Sequence, residues 1–332
     1  MKVFVTGHRG YIGVHLVDLL KQHGHSVTGC DLNLFDGCEW EQFTRPDVER
    51  IEDIRTLTVR DLDGYDCVMH LAAISNDPMG DLNPEITYSI NREGSLRLGK
   101  IAKEAGVPKF LFSSSCSIYG KGENLDLDEH SGLNPISAYA RSKIETEEGL
   151  RKMADANFSP VFLRNATAYG SSPMLRIDLV ANNLLGCAYA RGDIRIHSDG
   201  SPWRPLIHCR DIARAFVAVL QSPPNALHNT AVNVGANREN FQVREIADRV
   251  KELLPKSGIV YTGEVGADPR DYRVKFDLLN KLLPDFRLEY SLSSGMEDLY
   301  KKFVEHKFSE TDFAGERFTR LRTLKTRLSM LN

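Results

Sequence analysis

Lys2-Val3-Phe4-Val5-Thr6, followed by Gly7-His8-Arg9-Gly10-Tyr11-Ile12-Gly13, decides the fold. A β-branched run enters a turn whose glycines are spaced G-x-x-G-x-x-G. It leaves that turn with apolar residues at Ile12, Leu16, Leu19 and Leu20, the period of a helix. Gly24 stands where a helix end takes a left-handed residue, and 25–31 returns to strand character, so the chain opens β-α-β. Outward from there the alternation continues: strand 65–73, helix 84–106, strand Lys109–Ser115, helix 137–156, strand 159–166. Such alternation predicts an α/β fold, a doubly wound parallel sheet spanning residues 1–170. After Gly170 the texture changes, with a helix at 177–190, a strand at 194–198 and the turn Asp199-Gly200-Ser201-Pro202. Residues 171–332 read mainly as a smaller α+β lobe, discontinuous because strands at 206–208 and 231–235 are able to return to the main sheet. The basic residues Lys307, Arg317, Arg320, Arg322, Lys325 and Arg327 predict a solvated helix face or tail at the C-terminal end.

Composition narrows the function. With 332 residues, 42% hydrophobic and 26% charged, the chain is an ordinary soluble globule. A formal net charge of −3 supplies no field to hold a polyanion, so nucleic acid is not an expected partner. The six cysteines fall at irregular intervals without C-x-x-C, which suggests neither a metal site nor a disulfide framework and fits a reducing cytoplasm. The first residues run into a strand rather than a long apolar stretch, so neither secretion nor a membrane is expected.

Glycines between a first strand and a first helix leave free N–H groups at the helix N-terminus for a pyrophosphate, and here they point to a dinucleotide. Gly7 permits the turn, Gly10 lets a ligand approach the backbone, and Gly13 lets the helix pack on the sheet. Asp31, eighteen residues beyond Gly13 at the end of the second strand, is placed to accept from an adenosine ribose and to repel a 2′-phosphate, which favours NAD. A turn-capping aspartate is the plainer reading. Arg9 argues the other way, since a guanidinium beside the loop can pair with the phosphate of NADP.

Tyr139 and Lys143, four residues apart on a predicted helix, share one face. A phenol titrates near ~10, too high for a base at neutral pH, and a neighbouring ammonium stabilises the phenolate. In isolation the pair reads more readily as an exposed helical face. Phe112-Ser113-Ser114-Ser115-Cys116-Ser117-Ile118-Tyr119-Gly120 follows a predicted strand, where open α/β sheets bind ligands and where serines also form turns.

The glycine loop, Asp31, His70-Leu71-Ala72-Ala73, the serine run and Tyr139-Ala140-Arg141-Ser142-Lys143 together resemble the extended short-chain dehydrogenase/reductase family, in its NAD-dependent nucleotide-sugar epimerase/dehydratase branch. The resemblance implies a Rossmann-type domain and a catalytic set of Ser115, Tyr139 and Lys143. It implies that Tyr11, Ile12, Asp53, Ile54, Leu71, Ala72, Ala73, Asn91 and Ser113 line the cofactor site. In the second lobe, Trp203-Arg204 with Leu206-Ile207-His208 is similar to the segment that holds a nucleoside diphosphate. The substrate side is then Ser115, Asn165, Thr167, Arg204, His208 and Arg270, with salt bridges the plainer reading of the two arginines. A homodimer through the helices at 84–106 and 137–156 is also implied.

Two departures matter. Cys116-Ser117 stands where the dehydratases of this branch carry an Asp-Glu pair, so the acid and base for eliminating water are missing. Pro205 replaces the aspartate usual after the arginine. The missing acids fit an epimerase and a 4-ketoreductase alike, and Asp31, which favours a retained NAD, leans the expectation to an NAD-dependent nucleotide-sugar epimerase working through a 4-keto intermediate. A 4-ketoreductase using NAD(P)H and a non-catalytic nucleotide sensor on the same fold are the alternatives.

Overall fold

The computed structural model describes residues 1–75, 80–223, 225–263 and 270–329. Seven strands form one sheet: β1 (Lys2–Thr6), β2 (Ser26–Asp31), β3 (Val48–Ile51), β4 (Cys67–His70), β5 (Lys109–Ser115), β7 (Ser159–Asn165) and β11 (Thr230–Val234). They lie in the order β11-β7-β5-β4-β1-β2-β3 and every neighbouring pair is parallel. Strand order reverses between β1 and β4, so the crevice for a ligand opens at the carboxyl ends of these two strands. The period of two in β1 builds both faces. Val3 and Val5 belong to one core with Leu16, Leu20, Ile212 and Phe216, whereas Phe4 belongs to the opposite core with Leu98, Phe110, Phe112 and Leu150.

Helices α1 (Gly13–Gln22), α2 (Ser95–Glu104) and α3 (Ala138–Met153) cross between the early strands. The helix expected at 84–106 comes in three pieces: Pro84–Thr87, a π-helical stretch Tyr88–Gly94, and α2. A third core joins α4 (Val180–Arg191), α6 (Val243–Leu253) and α7 (Leu292–Glu305) through Leu185, Ile246, Met296 and Phe303. Three small sheets border it. In one, β8 (Thr167–Tyr169) pairs with β10 (Trp203–His208), which pairs with β12 (Asn240–Gln242). In the others, β9 (Asp193–Ile196) pairs with β13 (Gly258–Tyr261), and β6 (Lys121–Leu127) with β14 (Asp271–Val274).

Of the two late strands, β11 completes the large sheet, while β10 stays in the small one. The cause lies at Ala166. Its N–H still bonds the Val234 carbonyl, but past it the chain leaves the large sheet, and β8 pairs with β10 instead. Helix α5 (Cys209–Gln221) then returns to the large sheet beside α1.

The solvated tail expected at the C-terminal end is a correction. Helix α8 (Arg320–Ser329) and the turn before it are tied back onto the body by arginines that donate to backbone carbonyls: Arg317 to Glu39, Arg320 to Met174, and Arg327 to Leu34 and Asp36. Lys307, Arg322 and Lys325 stay exposed, as a solvated face requires.

Candidate active site

A cavity of about 1230 Å³ runs from the carboxyl ends of β1, β2 and β4, past β5 and α3, to β8, β9 and β10. At its first end the glycine loop is drawn tight. Gly7 takes φ +73° and donates to the Cys30 carbonyl at 2.8 Å. A Cβ on Gly13 would stand 2.1 Å from the Gly7 oxygen and 2.8 Å from His8 Cα, so only glycine allows this turn. Helix α1 begins there without a side-chain cap; Val14 N–H bonds the Gly10 carbonyl, and Tyr11, Ile12 and Gly13 at its start line the cavity. Glycines that leave room and an uncapped helix N-terminus fit the diphosphate of NAD.

Asp31 accepts from the backbone N–H of Arg9 at 3.2 Å and of Asn33 at 2.8 Å. The Arg9 guanidinium is held by both Glu49 oxygens at 2.8 and 2.9 Å and by Asn33 at 2.7 Å. That hydrogen bond to Glu49 raises the pKa of Arg9, and the same contact pulls Glu49 down to about 2. The cation that argued for NADP is thus already paired, in a neighbourhood rich in carboxylates.

Leu71, Ala72 and Ala73 form the wall after β4. Thr6 Oγ1 meets His70 Nδ1 at 2.6 Å and accepts from Ala72 N–H at 3.2 Å, while His70 Nε2 meets Ser95 Oγ at 2.6 Å. Burial drives His70 down to about 3, so this link between strand ends stays uncharged. Asp53, paired with Arg55, and Ile54 line the cavity next to Glu52. Asn91 does not reach it. It grips the Ile74 backbone, accepting at 2.8 Å and donating at 3.0 Å, and so braces the wall from behind.

Ser113, Ser115, Tyr139 and Lys143 line the middle of the same cavity. Ser137 caps α3 by accepting from Ala140 N–H, and Asp81 accepts from Ala138 N–H, which fixes the turn that carries Tyr139. Lys143 donates to the Ser113 carbonyl at 2.7 Å, with its ammonium 5.6 Å from the Tyr139 ring centre. Desolvation lowers its pKa to about 7, against which Glu147 acts only in part. Beneath lies a buried pair, Glu147 with Arg164 at 2.7 Å, which also receives Ser114 Oγ. Cys116 is buried, does not line the cavity, and has its thiol pKa pushed up by burial.

On the far side Asn165, Thr167, Arg204 and Arg270 line the cavity. Asn165 Nδ2 reaches Ser113 Oγ at 3.1 Å, while its Oδ1 and the hydroxyl of Ser117 are buried without partners, both at the cavity. Unpaired buried polar atoms there suit a polar ligand. Arg204 donates to the Arg270 carbonyl at 2.6 Å, binding the two segments together. His208 is the exception. Its ring stacks on Tyr290 with centres 3.8 Å apart and fills the space over Gly170, where a Cβ would stand 2.1 Å from it. It caps α5 by accepting from Arg210 N–H, and it does not line the cavity. Asp268 and Pro269, which precede Arg270 in its motif, lie outside the described residues.

Sequence reasoning missed Arg176, Asp178 and Arg320, all lining the cavity. Arg176 pairs with Asp178 at 2.6 Å, and its charge is felt at Tyr139. Arg176 and Asp178 sit in irregular chain, where no periodicity marks them, and Arg320 reads in sequence as one more charge of a basic run. Among the described residues no group of three His, Cys, Asp or Glu could hold a metal, and no helix is long and apolar enough to cross a membrane.

A family model described as the NAD dependent epimerase/dehydratase family matches residues 3–235. A Bacillus subtilis protein described as an uncharacterized UDP-glucose epimerase is 27% identical over 81% of this chain and 87% of its own length. Among solved structures, the UDP-glucose 4-epimerase of Thermotoga maritima with UDP-glucose is 25% identical, with a TM-score of 0.81 over 92% of this chain and 99% of that one. The UDP-glucuronic acid 4-epimerase of Bacillus cereus, in complex with UDP-glucuronic acid and NAD, is also 25% identical, with a TM-score of 0.78 over the same 92% and 99%.

Proposed function

Because the chain belongs to the NAD dependent epimerase/dehydratase family, we propose that it is a 4-epimerase of nucleoside-diphosphate sugars, with uridine diphosphate sugars as its substrate class. The observation that carries this reading is the placing of Ser115, Tyr139 and Lys143 in one cavity, between the glycine loop and the Asn165, Arg204 and Arg270 side. When bound at the glycine loop, NAD supplies the hydride acceptor and donor for the sugar carbon. Tyr139 takes the hydroxyl proton and later returns it, and Ser115 holds the oxygen in a hydrogen bond. Lys143, whose ammonium is weakened by burial and stands 5.6 Å from the centre of the Tyr139 ring, favours the phenolate when it carries its proton. Arg204 and Arg270 offer fork-shaped donors to the substrate diphosphate.

Dehydration is disfavoured by the carboxylates at hand. Of those lining the cavity, Asp31, Glu52 and Asp53 flank the β2 and β3 ends, Asp81 serves the start of α3, and Asp178 is paired with Arg176. No carboxylate stands in the loop after Ser115, where Ser117 lines the cavity instead. The proposal extends to a cytoplasmic homodimer joined through α2 and α3, with residues 1–170 and β11 as the cofactor domain. Mass spectrometry of nucleotides released by denaturing the purified protein tests the pairing of ligands. NAD together with UDP or a UDP sugar is expected, and NADP in place of NAD contradicts the reading.

A further inference from the structure

Arg320 opens α8, far beyond the glycine loop in sequence, yet lies in the same cavity. Its guanidinium is 4.5 Å from the centre of the Phe35 ring, and its Nη2 donates to the Met174 carbonyl at 3.0 Å. Met174 in turn packs with Val14 of the first turn of α1 and with Cys38, and Phe35 covers that cluster. This places the guanidinium at the amino end of α1. Arg320 is 3% exposed, and its Nη1 is buried without a hydrogen bond. A buried charged donor left unpaired is costly and calls for a ligand. Carboxylates do not meet this need: Asp178 is already engaged by Arg176, and burial beside Arg176 lowers the Arg320 pKa.

We propose that Arg320 is a ligand of the cofactor diphosphate, carried to the amino end of α1 by the C-terminal helix. The proposal rests on the reading of the cavity as an NAD site. Uncapped N–H groups of α1 and the free guanidinium edge then face one anion from two sides. The helix is fastened for this role, since Arg317 and Arg327 tie its two flanks to carbonyls of Glu39, Leu34 and Asp36 in the loop after β2.

A substrate diphosphate has the same chemistry, so the test separates the two. The full-length protein, freed of nucleotide, is titrated calorimetrically with NAD, adenosine and UDP, as wild type, Arg320→Ala and Arg320→Lys. Arg320→Ala should weaken NAD by about ten- to a hundredfold, with adenosine and UDP within about twofold of wild type and Arg320→Lys in between. NAD affinity unchanged in Arg320→Ala, or NAD and adenosine weakened alike, overturns the proposal, as does loss confined to UDP. If Arg320→Ala does not fold, Arg320→Gln and Arg320→Lys carry the same comparison. A wild type that binds UDP but not NAD instead removes the reading of the cavity, and this assignment with it.

Discussion

Replacing Lys143 with methionine should stabilise the ligand-free protein in acid while ending turnover. Burial lowers the ammonium from 10.5 to about 7, so the folded state holds that proton more weakly than the unfolded chain does. At 3% exposure the side chain has little solvent screening. Between the two pKa values the unfolded chain binds more protons, and wild-type stability rises with pH relative to the variant. The full cost, about 5 kcal/mol, stands below pH 7; about 3 kcal/mol remains at pH 8.5, and it vanishes above pH 10.5. Methionine keeps an unbranched apolar stem, one atom shorter, but loses the bond to the Ser113 carbonyl, a pH-independent term of about 1–3 kcal/mol against the variant. Urea unfolding of both proteins from pH 6 to 10.5 isolates the titrating part, because nearly every other ionisable group is shared. A stability difference that stays flat across this range refutes the reasoning that burial, uncompensated by Glu147, sets the charge of Lys143.

Tyr139→Phe should abolish turnover and leave NAD affinity within about twofold, since only the proton-exchanging hydroxyl is lost; steady-state rates beside NAD titrations decide it, and a rate near wild type contradicts the role. Arg204→Ala should weaken UDP much more than NAD, by about 2–4 kcal/mol if the diphosphate is largely desolvated, as calorimetry would read. Gly13→Ala should cost NAD binding and thermal stability together, because its Cβ meets the Gly7 oxygen at 2.1 Å; unchanged values for both would show the loop adapting. NAD should bind more tightly than NADP in the wild type by calorimetry, and Arg9→Ala should leave NADP binding unchanged, since Arg9 is held by Glu49 and Asn33; a marked loss of NADP affinity in the variant would contradict this.

Much of the first 170 residues was legible because parallel strands and their helices announce themselves by period. Lys2–Thr6 and Lys109–Ser115 coincide with β1 and β5, and the glycine spacing marks the turn between β1 and α1. The second lobe was legible only in fragments. Strands β12, β13 and β14 are short, and β14 pairs with β6, far away in sequence, which leaves no local trace. His208 was misplaced for a related reason: Arg204 of its motif lines the cavity, but the slot over Gly170 takes the His208 ring. Asn91 was one layer off, gripping a backbone rather than facing the cavity. Arg320 looked like one more charge in a basic tail, and only the docking of α8 shows that it is buried.

The central claim is that hydride leaves and returns to the same sugar carbon within one cavity. UDP-glucose bearing deuterium at C4, incubated with the purified protein and NAD, tests it most directly by NMR and mass spectrometry of the recovered sugar. The account predicts the C4-inverted sugar with deuterium retained at C4 and no accumulation of reduced cofactor, and predicts that Tyr139→Phe yields none. An inverted product that has lost its deuterium to solvent, or conversion coupled to net consumption of cofactor, would contradict it.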